Sequence, residues 1–449
     1  MSVVSTDQVK TAIRRRRGMS AIVLLACTGL FGISVWHVAS TSAASTRSFS
    51  SLVPARLLDT RADGGTVDGG FVAGGLRAAG SVTELVVAGR GGVAADASTA
   101  VLNVTVTDAS GAGYVTVFPC GSERPLASSL NFVTGSTVAN GVVARIGASG
   151  HVCLFVSEST HLVVDVTGFF PAGAGFTSLI PARLLDSRGE GATVDGTFVN
   201  LGVRPAGSVT ELKVTGRGGV ATNATAAVLN VTATDPAGEG YVTVYPCGSA
   251  RPLASSLNFM PGATVPNGVI TRVGSSGRVC LFVSTATHLV VDVAGYFPPS
   301  SGFASLVPAR LLDSRADGAT VDGAFVNLGV RPTGSVTELT VAGRGGVASD
   351  APSVVVNVTV TDATGAGYVT VYPCGSPRPL ASSVNFVAGV TVANGVVGRV
   401  GAGGRVCLYI SDTAHLIVDV AGYFTASGYG SGPSDSIDIP STDDIPSFG

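Results

Sequence analysis

The stretch PARLLDTR, Pro54 to Arg61, carries an aspartate two residues before an arginine. An extended strand puts Leu57, Asp59 and Arg61 on one face and Arg56, Leu58 and Thr60 on the other. A carboxylate and a guanidinium so placed suit a charge-assisted hydrogen bond, and Arg90 in the stretch GRGGV is a candidate third member. The phrase recurs from Pro181 and from Pro308, each 127 residues on, giving matching sets Asp186, Arg188, Arg217 and Asp313, Arg315, Arg344. Two chemistries fit: a site for an anion or a sugar acid, or a buried polar clasp that fixes the first strand of each copy. A clasp explains why every copy needs it.

Three other patterns bear on chemistry. In HLVVDV, alternation puts His161, Val163 and Asp165 on one face, but no nucleophile stands out among the many Ser and Thr. Without a GxSxG, HExxH or paired-carboxylate signature, a hydrogen-bonded strand is expected there, not a general base. In GYVTVFPCG, Tyr114, Thr116 and Phe118 share a face, matched by Tyr241 and Tyr245 and by Tyr368 and Tyr372. Aromatics two residues apart on a sheet can stack on sugar rings, although core packing is the plainer role. The loop that follows, CGSERPLASS from Cys120, contributes Arg124, Arg251 and Arg378 beside that face, and loops of this kind carry binding. Asn103, Asn230 and Asn357 each open an NVT sequon and are read as sheet residues.

These residues belong to a unit present three times without insertion or deletion: 49–175, 176–302 and 303–427. A period of 127 residues is that of a whole domain, well beyond a solenoid unit. Each copy shows about eight short stretches of period-2 alternation rich in Val and Thr, and no helical stripe with caps. The turns at ASGAG and ASG read as two hairpins, Thr99–Asp108 with Tyr114–Pro119 and Gly141–Gly147 with His151–Ser157. The expected fold is all-β: three tandem antiparallel β-sandwich or jelly-roll-like domains after an N-terminal apolar export segment. The joints PAGAG and PPSSG predict a beaded rod. Each copy has two cysteines 33 residues apart, Cys120 and Cys153, Cys247 and Cys280, Cys374 and Cys407, and one disulfide per copy is expected of an exported chain.

Only 12% of residues are charged and the formal net charge is −2, which argues against a nucleic-acid partner. Residues 1–44 read as a signal peptide or signal anchor: Arg14 to Arg17, an apolar run from Met19 to Val38, then ASTSAAS, with cleavage after Ala44 the natural site. Residues 428–449 read as a disordered acidic Ser/Pro tail. No cofactor and no metal site is expected.

The joint occurrence of PARLLDTR, GRGGV, YVTVFPCG, ASSLNF and HLVVDVTGFF resembles a repeat of exported multidomain proteins of actinobacteria. The resemblance covers Phe49 to about Ser427. It implies export and the repeat architecture and transfers no catalytic residue. The expected function is a secreted or cell-surface structural or adhesive protein, not an enzyme. Its partner would be a repetitive cell-wall or extracellular polysaccharide, bound weakly and multivalently, with membrane contact only through an uncleaved N-terminus. The alternatives are a passive spacer without ligand and a hydrolase of envelope polymers.

Overall fold

Stretches of alternating valine, isoleucine, leucine and threonine form eight strands in each copy, some buried on one face and others on both. In the first copy they are β1 (Ser50–Asp59), β2 (Val82–Val86), β3 (Ala97–Thr107), β4 (Gly113–Pro119), β5 (Leu130–Phe132), β6 (Val138–Arg145), β7 (His151–Val156) and β8 (His161–Pro171). The same set recurs over residues 177–297 and 303–424. The computed structural model describes residues 48–426, so the expected signal segment and the expected disordered tail lie outside the described residues.

Each copy forms two antiparallel four-stranded sheets, an inner one ordered β1-β8-β3-β6 and an outer one ordered β2-β7-β4-β5. The two predicted hairpins do not form. β3 pairs with β6 and β8, whereas β4 pairs with β5 and β7, and β6 and β7 also lie in different sheets. Alternation marks a strand but not its neighbour, and here the short turns lead from one sheet to the other. Leu57, Leu102, Val104 and Val164 of the inner sheet share an apolar cluster with Val115, Val117 and Leu154 of the outer sheet.

The expectation of three tandem sandwich or jelly-roll domains on a beaded rod is overturned. The described residues fall in one compact unit of six small four-stranded sheets, an inner and an outer one from each copy, with the three inner sheets meeting at a common axis. The cause lies on the far face of each inner sheet, which is also buried. Phe49, Phe170, Phe176, Phe297, Phe303 and Phe424, two from each copy, join Val101, Val228 and Val355 in a single cluster. Phe170 stacks on Phe176 across the first joint, with centroids 4.6 Å apart, and Phe297 on Phe303 across the second at 4.4 Å. Phe49 stacks on Phe424 at 4.2 Å, so the first copy meets the third as closely as linked neighbours meet.

Polar groups close the same cycle. Asn140 donates from Nδ2 to Asn230 Oδ1 of the second copy at 2.9 Å and accepts from Gly268 N at 2.8 Å. Asn267 does the same to Asn357 and Gly395 of the third copy, and Asn394 to Asn103 and Gly141 of the first. These three asparagines are at most 1% exposed, and a fully partnered amide network of this kind specifies one arrangement. Glycine is required beside them. A Cβ on Gly141, Gly268 or Gly395 would meet the carbonyl oxygen of another of the three at 2.3 Å or less.

Cys120–Cys153, Cys247–Cys280 and Cys374–Cys407 are disulfides that tie the start of the loop after β4 to β7 and its counterparts. Three disulfides fit an extracellular or secreted protein. Among the described residues, no helix is long and apolar enough to cross a membrane, and no group of ligating side chains suits a metal ion.

Candidate functional site: three clefts between repeats

The clasp begins with a β-bulge. The register of β1 against β8 shifts between Arg56 and Leu58, which lets both Leu57 and Leu58 enter the core. The same shift brings Arg56 to the side of Asp59, where strict alternation places it opposite. A four-residue chain of ion pairs follows. Asp165 accepts from Arg56 Nε at 2.8 Å, Arg56 Nη1 reaches Asp59 at 3.2 Å, and Asp59 receives the Arg61 fork at 2.9 and 2.7 Å. The second and third copies repeat it as Asp292–Arg183–Asp186–Arg188 and Asp419–Arg310–Asp313–Arg315.

Electrostatics differ along the chain of charges. Burial pushes Asp165, Asp292 and Asp419 up, with the adjacent arginine pulling the other way. Burial opposes ionisation of Asp59, Asp186 and Asp313 as well. There the hydrogen bonds and charge of Arg61, Arg188 and Arg315 win, and the carboxyls lie below the usual aspartate range.

Arg90, expected in this network, belongs to another. Its fork grips Asp68 at 2.7 Å on both arms, it donates to the carbonyls of Val86 and Leu57, and it lies 4.7 Å over the Phe71 ring. Arg217 and Arg344 repeat this with Asp195 and Asp322. The intervening loop folds back on β1 through a parallel bridge between Asp59 and Val72, which is why a residue so near in space misses the carboxylate. The His161–Asp165 pair is no dyad either, since His161 Nδ1 meets Thr60 Oγ1 at 2.9 Å and Asp165 is held by Arg56.

The aromatic face divides. Phe118, Tyr245 and Tyr372 are buried against the disulfides, and burial raises the Tyr372 hydroxyl pKa. Tyr114 is half-buried beside Phe155 at 5.9 Å, and the Arg124 guanidinium lies 3.7 Å over the same Phe155 ring. Arg251 and Arg378 take the same place over Phe282 and Tyr409. Proline follows each of these arginines (Pro125, Pro252, Pro379) and restricts the loop that presents it.

Ring closure then brings the two sets together across the repeat boundaries. Tyr114, Arg124 and Asn131 of the first copy face Arg183, Arg188, Thr232 and Thr234 of the second across a cleft of 390 Å³. Tyr368, Arg378 and Asn385 of the third copy face Arg56, Arg61, Thr105 and Thr107 of the first across one of 410 Å³. At the boundary between the second and third copies the corresponding residues are Tyr241 and Arg251 of the second and Arg310 and Arg315 of the third, and the two copies are joined by a bond from Asn357 Nδ2 to Ser255 O at 2.7 Å. The clasp itself bridges the boundaries, since Ser382 N donates to Asp165 and Arg183 Nη2 to Leu126 O. The hydroxyls of Thr105, Thr232 and Thr359 are buried without a hydrogen-bond partner, a cost present in all three copies, and the first two residues border the described clefts.

Sequence reasoning missed Arg56, Arg183 and Arg310, the asparagine ring and the pairing of sites across copies. The signal available was a polar Asn amid Val and Leu in β3 and an Asn-Gly pair inside β6, both odd for strand interiors.

Neither a family model nor a curated protein matches the chain. Among solved structures, it is similar to the N-terminal CBM22-1–CBM22-2 tandem domain of Xyn10C from Paenibacillus barcinonensis, at 14% identity and TM-score 0.17, covering 55% of this chain and 98% of that one. It is also similar to a triple jelly roll protein of an archaeal virus turret, at 6% identity and TM-score 0.17, covering 84% and 92%. Likenesses this distant carry no argument about the chain.

Proposed function

We propose that this chain is an exported surface or secreted protein that binds a repetitive polysaccharide through its three inter-repeat clefts. The observation that supports this reading is the recurrence of one cleft chemistry: an aromatic ring, hydroxyls, an amide and arginines, in a space that fits one or two sugar units. Each site is shallow and partly polar, so single-site affinity is expected to be low. Three linked sites on a repetitive ligand gain roughly 10²–10⁴ in apparent affinity without any new contact. The roles are adhesive or structural, and no residue is assigned to catalysis. The test is retention of the full chain on insoluble cell-wall and extracellular polysaccharides, against the triple variant Tyr114→Ala/Tyr241→Ala/Tyr368→Ala. Retention that the triple variant loses supports the reading. Absence of retention by the unaltered chain on every polymer would refute it.

A further inference from the structure

We infer that the clefts select acidic glycans, each holding the oxyanion of a charged sugar unit between two arginines from different repeats. This rests on the proposed polysaccharide reading and names its ligand class. Each described cleft is lined by three arginines and by no carboxylate: Arg124, Arg183 and Arg188 in one, Arg378, Arg56 and Arg61 in the other. Two of the three in each cleft are already countered by clasp aspartates, so the uncompensated positive charge of each is that of Arg124 or Arg378.

The arginines are not equivalent. Arg56 is 8% exposed and spends its guanidinium on Asp165 and Asp59. Arg61 gives one fork to Asp59 but keeps its side chain 38% exposed, leaving donors on the open side. Asp63 and Asp108 act on Arg61 electrostatically without lining the cleft. Arg378 has no carboxylate partner among the described residues. Its plane is fixed on the Tyr409 ring and its loop by Pro379, so it is pre-organised for a planar or tetrahedral oxyanion. A neutral sugar gives such a guanidinium nothing that a hydroxyl would not, whereas a uronate carboxylate or a phosphate ester fills it. Tyr368 and the exposed Leu380 at the rim offer apolar surface to the ring that carries the charge.

The experiment titrates the full chain with polygalacturonate, poly(glycerol phosphate) and dextran of matched length, between low and moderate salt. It is repeated for the triple variants Arg124→Gln/Arg251→Gln/Arg378→Gln and Arg124→Lys/Arg251→Lys/Arg378→Lys and for Arg278→Gln, an exposed arginine paired with Glu211 that lines neither described cleft. The expected result is binding to an anionic polymer at least about tenfold tighter than to dextran, lost in the Gln triple, partly regained in the Lys triple and unchanged in Arg278→Gln. The two anionic polymers distinguish carboxylate from phosphate. Dextran bound as tightly as both, with the Gln triple unaffected, would overturn the inference and leave the polysaccharide reading standing. Equal loss in Arg278→Gln would also overturn it, as general charge attraction. Failure to bind any polymer would remove the proposed function itself.

Discussion

The axis of the ring and the clefts between its repeats are built from the same strands, yet they treat polar groups in opposite ways. At the axis every amide of Asn140, Asn267 and Asn394 is partnered and three glycines leave no room for a Cβ. A few residues away, arginines face open space and a threonine hydroxyl is left unpaired in each copy. The partnered amides hold the repeats together, whereas the exposed cleft arginines keep donors on the open side that can take a partner.

Substitutions should separate the two regions by size of effect. The largest belongs to the clasp: Asp165→Ala removes the two-oxygen partner of buried Arg56 and leaves it only the Asp59 contact at 3.2 Å, and should cost about 3–5 kcal/mol, read from chemical denaturation. Removing one disulfide with Cys120→Ala/Cys153→Ala should cost about 2–4 kcal/mol in the same measurement. At the axis, Gly268→Ala forces a Cβ against the Gly141 carbonyl, and a cost of about 1–3 kcal/mol is expected from overpacking. The smallest is Arg378→Gln, whose side chain has no ion-pair partner among the described residues, with a change within about 0.5 kcal/mol. If that variant unfolded the protein, the cleft arginines would be structural and the contrast would fail.

Acid should act on the clasp and on the loop pairs together. The carboxyls of Asp59, Asp186 and Asp313 lie below their unfolded value, as do Asp68, Asp195 and Asp322, each hydrogen-bonded to an arginine. A depressed folded pKa contributes stability that is present above the unfolded value of about 3.9 and lost as pH falls below it. Asp165, Asp292 and Asp419 carry the opposite sign, because their raised pKa makes ionisation costly as pH rises. Thermal melts should therefore show a falling Tm below about pH 4, and Asp68→Asn should flatten part of that fall.

The strands were legible in the sequence and the assembly was not, for reasons that particular residues show. Val104 and Val106 alternate with Asn103, Thr105 and Thr107, and Val164 and Val166 flank Asp165, so β3 and β8 could be read where they lie. Their partners could not, because alternation is the same whichever strand sits alongside. Phe49, Phe170 and Phe176 look like ordinary core aromatics, and nothing local says that the core is shared by three copies. Asn103 has the appearance of an outward-facing sheet residue, and is one, except that another repeat covers it. The aspartate and second arginine of PARLLDTR were legible as a clasp, whereas Arg56 was hidden by a bulge that alternation cannot foresee. Tyr114 and Arg124 were legible as neighbours, but their cleft is completed by a residue 64 positions on, Arg188, from another copy.

The central claim is that ring closure makes three equivalent binding clefts. Titration calorimetry of the full chain with a short acidic oligosaccharide, too small to bridge two sites, tests it most directly. The account predicts three equivalents bound per chain, two in Arg124→Gln and none in the variant altered at Arg124, Arg251 and Arg378. A stoichiometry of one, or of three that these substitutions leave unchanged, would contradict it.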